Sequence, residues 1–504
     1  MLTLRGDAHA RPLSPATHDV WDIFTEVDIA EMFAFYFDNL NRAVTVLDPV
    51  LHTPAACAAS SPLLFTTVLA VTSKVTRPRD YDVVLQRANG LLGHAMEAGL
   101  LDLEIVQAII LLTHWRKVDD QSAYRRIGYA VRMAYELKLS VRGPRPLPTD
   151  EIAARKVLNP ERTWLILVIA DHNISIHRSL PRTVSADSKD DDVADWDMSS
   201  TPYTCPGQST LVPWLEFARL TVLYKELLMG QFDNPSSQTV HAWLEGNWRR
   251  WRGKWLLRAD EHGFERGQVS MVKIFDALFL FHLREYGFFY ALRHSNNQDD
   301  FDRAEATQLP IAFSLCVDAA LAIGDVFHAD FVQHDYLSYC FDLLWVALVI
   351  SMIWLVRNMT AMSPDHRSRV ISSLTAIQAA TGNASNSHDD MSAYIFRLTK
   401  HILDSAKNGT RGLPDPDTSV VDPAGLAPEW TVSSTSEIIR EQLWHHTPVS
   451  APQPYAYNPV PQVQESQAPL LDALFPAPDD DIWRLLIPDT GQLPTGQLAQ
   501  LAGF

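Results

Sequence analysis

From about Val20 to His401 the apolar residues recur with a helical period. Val84, Ala88, Leu91, Leu92 and Ala95 fall at i, i+4, i+7, i+8 and i+11, one stripe of an amphipathic helix. Glu97-Ala98-Gly99 then ends it, with Gly99 expected as a left-handed cap. Leu103 to Trp115 is apolar nearly all round, which predicts a buried helix, and Tyr124, Ile127, Val131, Ala134 and Leu137 form the next stripe. Asn159-Pro160-Glu161 reads as a helix start, because Asn caps free amides and Pro suits the first helical position. Further helices are expected near Leu211–Leu228, Val240–Leu257, Val269–Leu292, Pro310–Val326, Tyr336–Val356, Ser363–Ala380 and Met391–Ser405. Sustained period-two alternation is almost absent, so a sheet is not expected.

The fold expected is all-α: a large multi-helix domain of antiparallel helical hairpins, followed by a disordered Pro-rich acidic C-terminal tail. Its parts are an N-terminal tail (1–20), a first helical half (21–184), an acidic loop (185–210), a second helical half (211–407) and the tail (408–504). Val421 to Phe504 carries 12 of the 31 prolines, and ten acidic residues against Arg440 and Arg484. Such a segment buries too little apolar surface to offset its chain entropy. Within it, 468–489 holds two apolar islands separated by Asp479, Asp480 and Asp481. Leu470, Leu471, Leu474 and Phe475 form the first; Ile482, Trp483 and Leu486 form the second. Both follow i, i+1, i+4 spacing. Prolines limit each to about two helical turns, too short to persist alone in water. This is the pattern of an acidic activation segment that folds against a coactivator groove.

Composition narrows the function. The chain has 504 residues, 47% of them hydrophobic and 20% charged, with a net charge of -18. An acidic chain offers no broad field for a polyanion. Cys57, Cys205, Cys316 and Cys340 are too far apart for a zinc knuckle or a disulfide framework, which points to a reducing compartment. Met1 to Pro12 lacks the apolar core of a signal peptide. The longest apolar run, Leu343 to Val356, is shorter than a membrane span, so no membrane partner is expected.

Signals for chemistry are sparse. Nucleotide-binding glycine motifs, the hydrolase elbow and H-E-x-x-H are all absent. Asp191, Asp192 and Asp195 have the D-D-x-x-D spacing that holds Mg²⁺ against a diphosphate in prenyl-diphosphate enzymes, which gives the alternative function. They stand in a Ser/Asp-rich stretch that reads as loop. His445-His446 has no nearby ligand partner, and His114 and His172 read as helix residues rather than metal ligands. Arg249, Arg250, Arg252, Lys254 and Arg258 alternate with Trp248, Trp251 and Trp255. That pattern suits either a nucleic-acid surface or a helix with a tryptophan core face.

Residues from about Glu31 to Arg182 resemble the middle homology region of fungal zinc-cluster (Zn₂Cys₆) transcription factors. The resemblance rests on an ordered set of pieces: Phe35 to Asp38, Leu47-Asp48-Pro49, Ser61-Pro62-Leu63-Leu64, and Glu104-Ile105-Val106-Gln107-Ala108. Gly128 to Leu137 and Glu161-Arg162-Thr163-Trp164 complete it. Leu180-Pro181-Arg182 departs from the family's Gly-Arg-Pro, and the six-cysteine DNA-binding motif is not present among four scattered cysteines. The resemblance implies a nuclear transcriptional regulator, not an enzyme. Its helical region would restrain activation, sense a small-molecule effector or bind coactivators and corepressors, with a homodimer as a further expectation. A DNA-independent coregulator is the related alternative. DNA binding and zinc are implied only for the missing module, so no cofactor, metal or catalytic residue is expected in this chain.

Overall fold

The computed structural model describes residues 20–178, 180–184, 203–228, 236–295, 308–334, 336–385 and 390–410. By internal contacts the chain forms two units, 1–176 with 180–405, and 177–179 with 406–504. The first is described below. It is all-α, with no strand among the described residues.

The helices of the first half are α1 (Glu26–Phe35), α2 (Pro54–Ser60), α3 (Pro62–Thr76), α4 (Tyr81–Glu97), α5 (Leu103–His114), α6 (Ala123–Glu136) and α7 (Glu151–His177). Their starts follow local rules. Thr25 and Asp28 close a reciprocal capping box on α1. Thr53 and Ser61 cap α2 and α3, each with Pro at the first helical position. α4 ends as the stripe predicts: Gly99 has φ +63°, and Leu100 N donates to Ala95 O at 3.0 Å. Packing is hairpin-like, with α3 on α4 and α5, and α5 on α6.

Two features position the interior. After α1 the chain passes through a π-helical turn, Tyr36–Leu40, into Asn41–Ala43. Buried Asn41 then folds the chain back, its carbonyl accepting from Leu47 N at 3.0 Å and its amide donating to Leu47 O at 2.9 Å. This sets Asp48 inside the protein. The second feature corrects the sequence reading. Asn159-Pro160-Glu161 is not a helix start; Pro160 lies inside the 27-residue α7. A proline there removes one backbone hydrogen bond and costs about 3 kcal/mol in an exposed helix. Burial of an unbroken run from Glu161 to Asn173 outweighs that cost.

The second half comprises α8 (Leu211–Leu227), α9 (Ser237–Trp255), α10 (Arg266–Ser295), α11 (Gln308–Val326), α12 (Asp342–Arg357), α13 (Pro364–Ala384) and α14 (Met391–Thr410). The paired helices α10 and α11 form its most extensive contact. Its core is aromatic: Phe217 stacks on Phe275 at 4.6 Å, and Trp214 packs on Phe275 and Phe341. The stretch Gln308–Val332 is long and apolar enough to cross a membrane by length and composition. Half of its most apolar window is buried inside the protein, Cys316, Val317, Ala320 and Ile323 included, while Ile311 and Leu315 are exposed.

Candidate functional site

The site is a buried polar cluster where the turn after α1 meets α5, α7 and the chain leading into α8. Arg162 of α7 is 0% exposed, and so is the Asp48 side chain. Arg162 Nη2 donates to Asp48 Oδ2 at 3.4 Å and Nη1 to Gln208 Oε1 at 3.2 Å. Its Nε has no partner. Two helical turns earlier, Arg155 Nη1 donates to Asp48 Oδ2 at 3.1 Å, and its Nε to Glu151 at 2.8 Å. On the other side, Gln107 of α5 donates to Asn159 Oδ1 at 3.1 Å and Thr163 Oγ1 at 3.0 Å. Pocketed charges need such partners, since an unpaired buried charge is costly.

The electrostatics follow from burial and two arginines. Burial alone would raise the Asp48 carboxyl, but Arg162, the Val50 amide, Cys205 and Arg155 together hold it below its ordinary value. The ring of His52 packs at the same turn and is pushed down by burial. The Cys205 thiol is pushed up to about 11 by burial, so it stays protonated and donates to Asp48 Oδ2 at 3.3 Å. Through these contacts the cluster ties the turn after α1, α5, α7 and the chain leading into α8 together.

Cys205 and Gln208 arrive on the last part of the expected 185–210 loop. Of residues 203–210, Cys205, Gly207, Gln208 and Thr210 are buried while Thr204 and Pro206 are exposed; 185–202 lie outside the described residues. Gly207 makes the approach possible. Its φ is +90°, and a Cβ there would stand 2.4 Å from Thr45 Oγ1 and 2.5 Å from Arg42 O.

A second tie closes the far end of α7. Asp171, 2% exposed, accepts from Thr183 N and Val184 N. Tyr124 OH donates to Pro181 O at 2.8 Å, and Arg182 pairs with Glu226 of α8. These contacts fix the Leu180-Pro181-Arg182 turn. At the near end, Glu161 accepts Gly143 N and both terminal nitrogens of Arg145. Arg132 is a surface residue whose guanidinium donates to its own helix at Gly128 O.

The basic cluster on α9 resolves into two faces. Trp248, Trp251 and Trp255 are buried, and their indole N–H groups donate to Asp276, Pro213 O and Glu216. Arg249, Arg252 and Lys254 pair with Glu245, Asp276 and Glu216, while Arg250 donates to Asn247. His114 and His172 are buried in the helical core. The activation segment, with Leu470, Leu471, Leu474, Phe475, Ile482, Trp483 and Leu486, lies outside the described residues. So do Asp191, Asp192 and Asp195, and His445-His446. Among the described residues no group of three or more His, Cys, Asp or Glu could hold a metal ion.

Hydrophobic periodicity does not mark the Asp48–Arg162 cluster as a site. The sequence does carry a signal: Gln107 interrupts a helix that is apolar all round, and Arg162 stands just ahead of the apolar run Trp164–Ala170. A polar side chain in such a setting must find a partner inside.

No family model matches the chain, and no solved structure matches it. Among curated proteins it is similar to Protein priB of Lentinula edodes, 26% identical over 316 residues, which is 61% of this chain and 50% of that protein. The chain thus spans about half the length of that relative.

Proposed function

We propose that this chain is a transcriptional regulator of the fungal zinc-cluster type, comprising a helical regulatory region and a C-terminal activation tail. In this reading it is not an enzyme, and it acts in the nucleus through coactivators or corepressors. DNA contact and zinc belong to a six-cysteine module that these residues do not contain. One observation supports the reading above the others. Asp48, Gln107, Arg162 and Thr163, drawn from three separate pieces of the resemblance, join the same buried network. Residues shared with a family for their packing role are expected to converge in this way; residues matched by composition alone are not.

The tail supplies the direct test. Val460–Phe504 fused to an unrelated DNA-binding domain is expected to activate a reporter. Activation should fall sharply when Phe475 and Trp483 become Ala, and much less when Gln492 and Gln497 do. A silent fusion, or equal loss from both pairs, would remove the activation role.

A further inference from the structure

We infer that the Tyr203–Thr210 segment is a releasable strap, a conformational switch that detaches from the Asp48–Arg155–Arg162 cluster while the helices around it stay folded. This device is independent of the transcriptional reading. Its basis is the kind of contact that holds the strap down. The strap is non-helical up to the single 3₁₀ turn Gln208–Thr210 that leads into α8. Its attachments include Cys205 Sγ to Asp48 at 3.3 Å, Arg162 to Gln208 at 3.2 Å, Thr45 Oγ1 to Pro206 O at 3.4 Å, Gln268 Nε2 to Ser209 Oγ at 3.3 Å and Tyr203 OH to Thr149 O at 3.4 Å, with the Arg155 guanidinium over the Tyr203 ring. Water can replace each of these polar contacts on release. The strap buries little apolar surface, since Pro206 is exposed, Tyr203 is half-buried and Cys205 is its one buried hydrophobic side chain. Neighbouring α7 buries Trp164 through Ala170 without a break. Segments with few apolar contacts open at a fraction of the global unfolding free energy.

What release would expose is distinctive. Arg162 lies beneath the strap with its Nε unpartnered and fully buried. Opening hydrates that guanidinium, which recovers part of the cost of the lost contacts. The strap also touches both halves of the molecule: Arg42, Thr45 and Asp48 on one side, Gln268 of α10 on the other. Release therefore loosens the join between them at the point where α8 begins. Gly207 sets the closed state, because its Cβ-free backbone lies against the Arg42 carbonyl, which cannot move aside as a flexible side chain would.

The chain carries its own reporters. Cys57 in α2 is 1% exposed and Cys316 in α11 is 0% exposed, so both label only when a packed helix opens. The experiment treats the full chain with N-ethylmaleimide under native conditions and reads each cysteine by peptide mass spectrometry. Cys205 is expected to label at least about tenfold faster than Cys316, with a rate that low urea scarcely changes. Gly207→Ala is expected to speed Cys205 by about tenfold or more while Cys57 and Cys316 keep their rates. Gln208→Ala, which removes an acceptor of Arg162 without adding strain, should act in the same direction. Labelling of Cys205 in step with Cys316, at the same urea dependence, would overturn the switch. So would variants that speed all three cysteines in parallel.

Discussion

His172 sits in α7 with neither ring nitrogen partnered, and His114 in α5 lies against Trp214 and Phe341. Burial pushes His114 down to about 4; burial, with Arg182 and Arg219 nearby, pushes His172 down to about 3. Both folded values lie below the unfolded value of about 6.5, so each histidine must stay neutral for the protein to remain folded. The stability linked to them is complete above about pH 6.5 and is lost progressively as pH falls toward 4 and then 3. Glu104 works in the opposite sense. Burial, with Asp102 beside it, pushes it up to about 7, so its protonated form is favoured in the fold and it adds stability as pH falls through 7. A comparison with one variant separates the two. The denaturation midpoint of His172→Leu should fall less between pH 7 and pH 4 than that of the parent chain. Parallel pH profiles for the two proteins would contradict the assignment.

At the scale of elements, the turn after α1 and the middle of α7 are held together by the Asp48–Arg162 contact and its neighbours. Removing one partner strands a buried charge, so Asp48→Ala is expected to cost about 3–5 kcal/mol in urea denaturation. A loss below about 1 kcal/mol would show that water reaches Arg162 and that the tie is weak. Asp48→Asn with Arg162→Gln, which leaves no charge stranded, should cost less than the single alanine change. The elements differ in how far they are legible in sequence. The end of α4 is, because Gly99 terminates it by a rule that involves only six residues. α9 is legible as a helix, but its pattern leaves open which face is buried; Asp276 and Glu216, which receive the Trp248 and Trp255 indole N–H groups, come from distant segments. The Pro160 reading fails because the local preference for a helix start competes with burial of everything after it, and burial wins. Asp48 and Arg162 are 114 positions apart, and hydrophobic periodicity carries no information about which polar residues meet.

For the whole molecule, the composition change after Asn408 and the last described helix, ending at Thr410, fall at the same place. Limited proteolysis is expected to leave a resistant helical fragment ending near residue 410, and a stable fragment that retains Phe504 would count against this. The all-α class was legible because it depends on a period repeated over nearly four hundred residues. The join between the halves was not, because it depends on a few polar residues inside a stretch read as a loop. That join has a consequence for how the chain tolerates insertion. Thr183 and Val184 are fastened to Asp171 ahead of residues 185–202, and Cys205 and Gln208 are fastened behind them. With the strap closed, the two anchor points are thus set by contacts to the body and not by the length of chain between them. For a flexible connection, each doubling of length costs only about 0.6 kcal/mol of closure entropy. The interval is where a foreign epitope, a protease site or a whole small domain could be spliced in, with the helical halves keeping their registration.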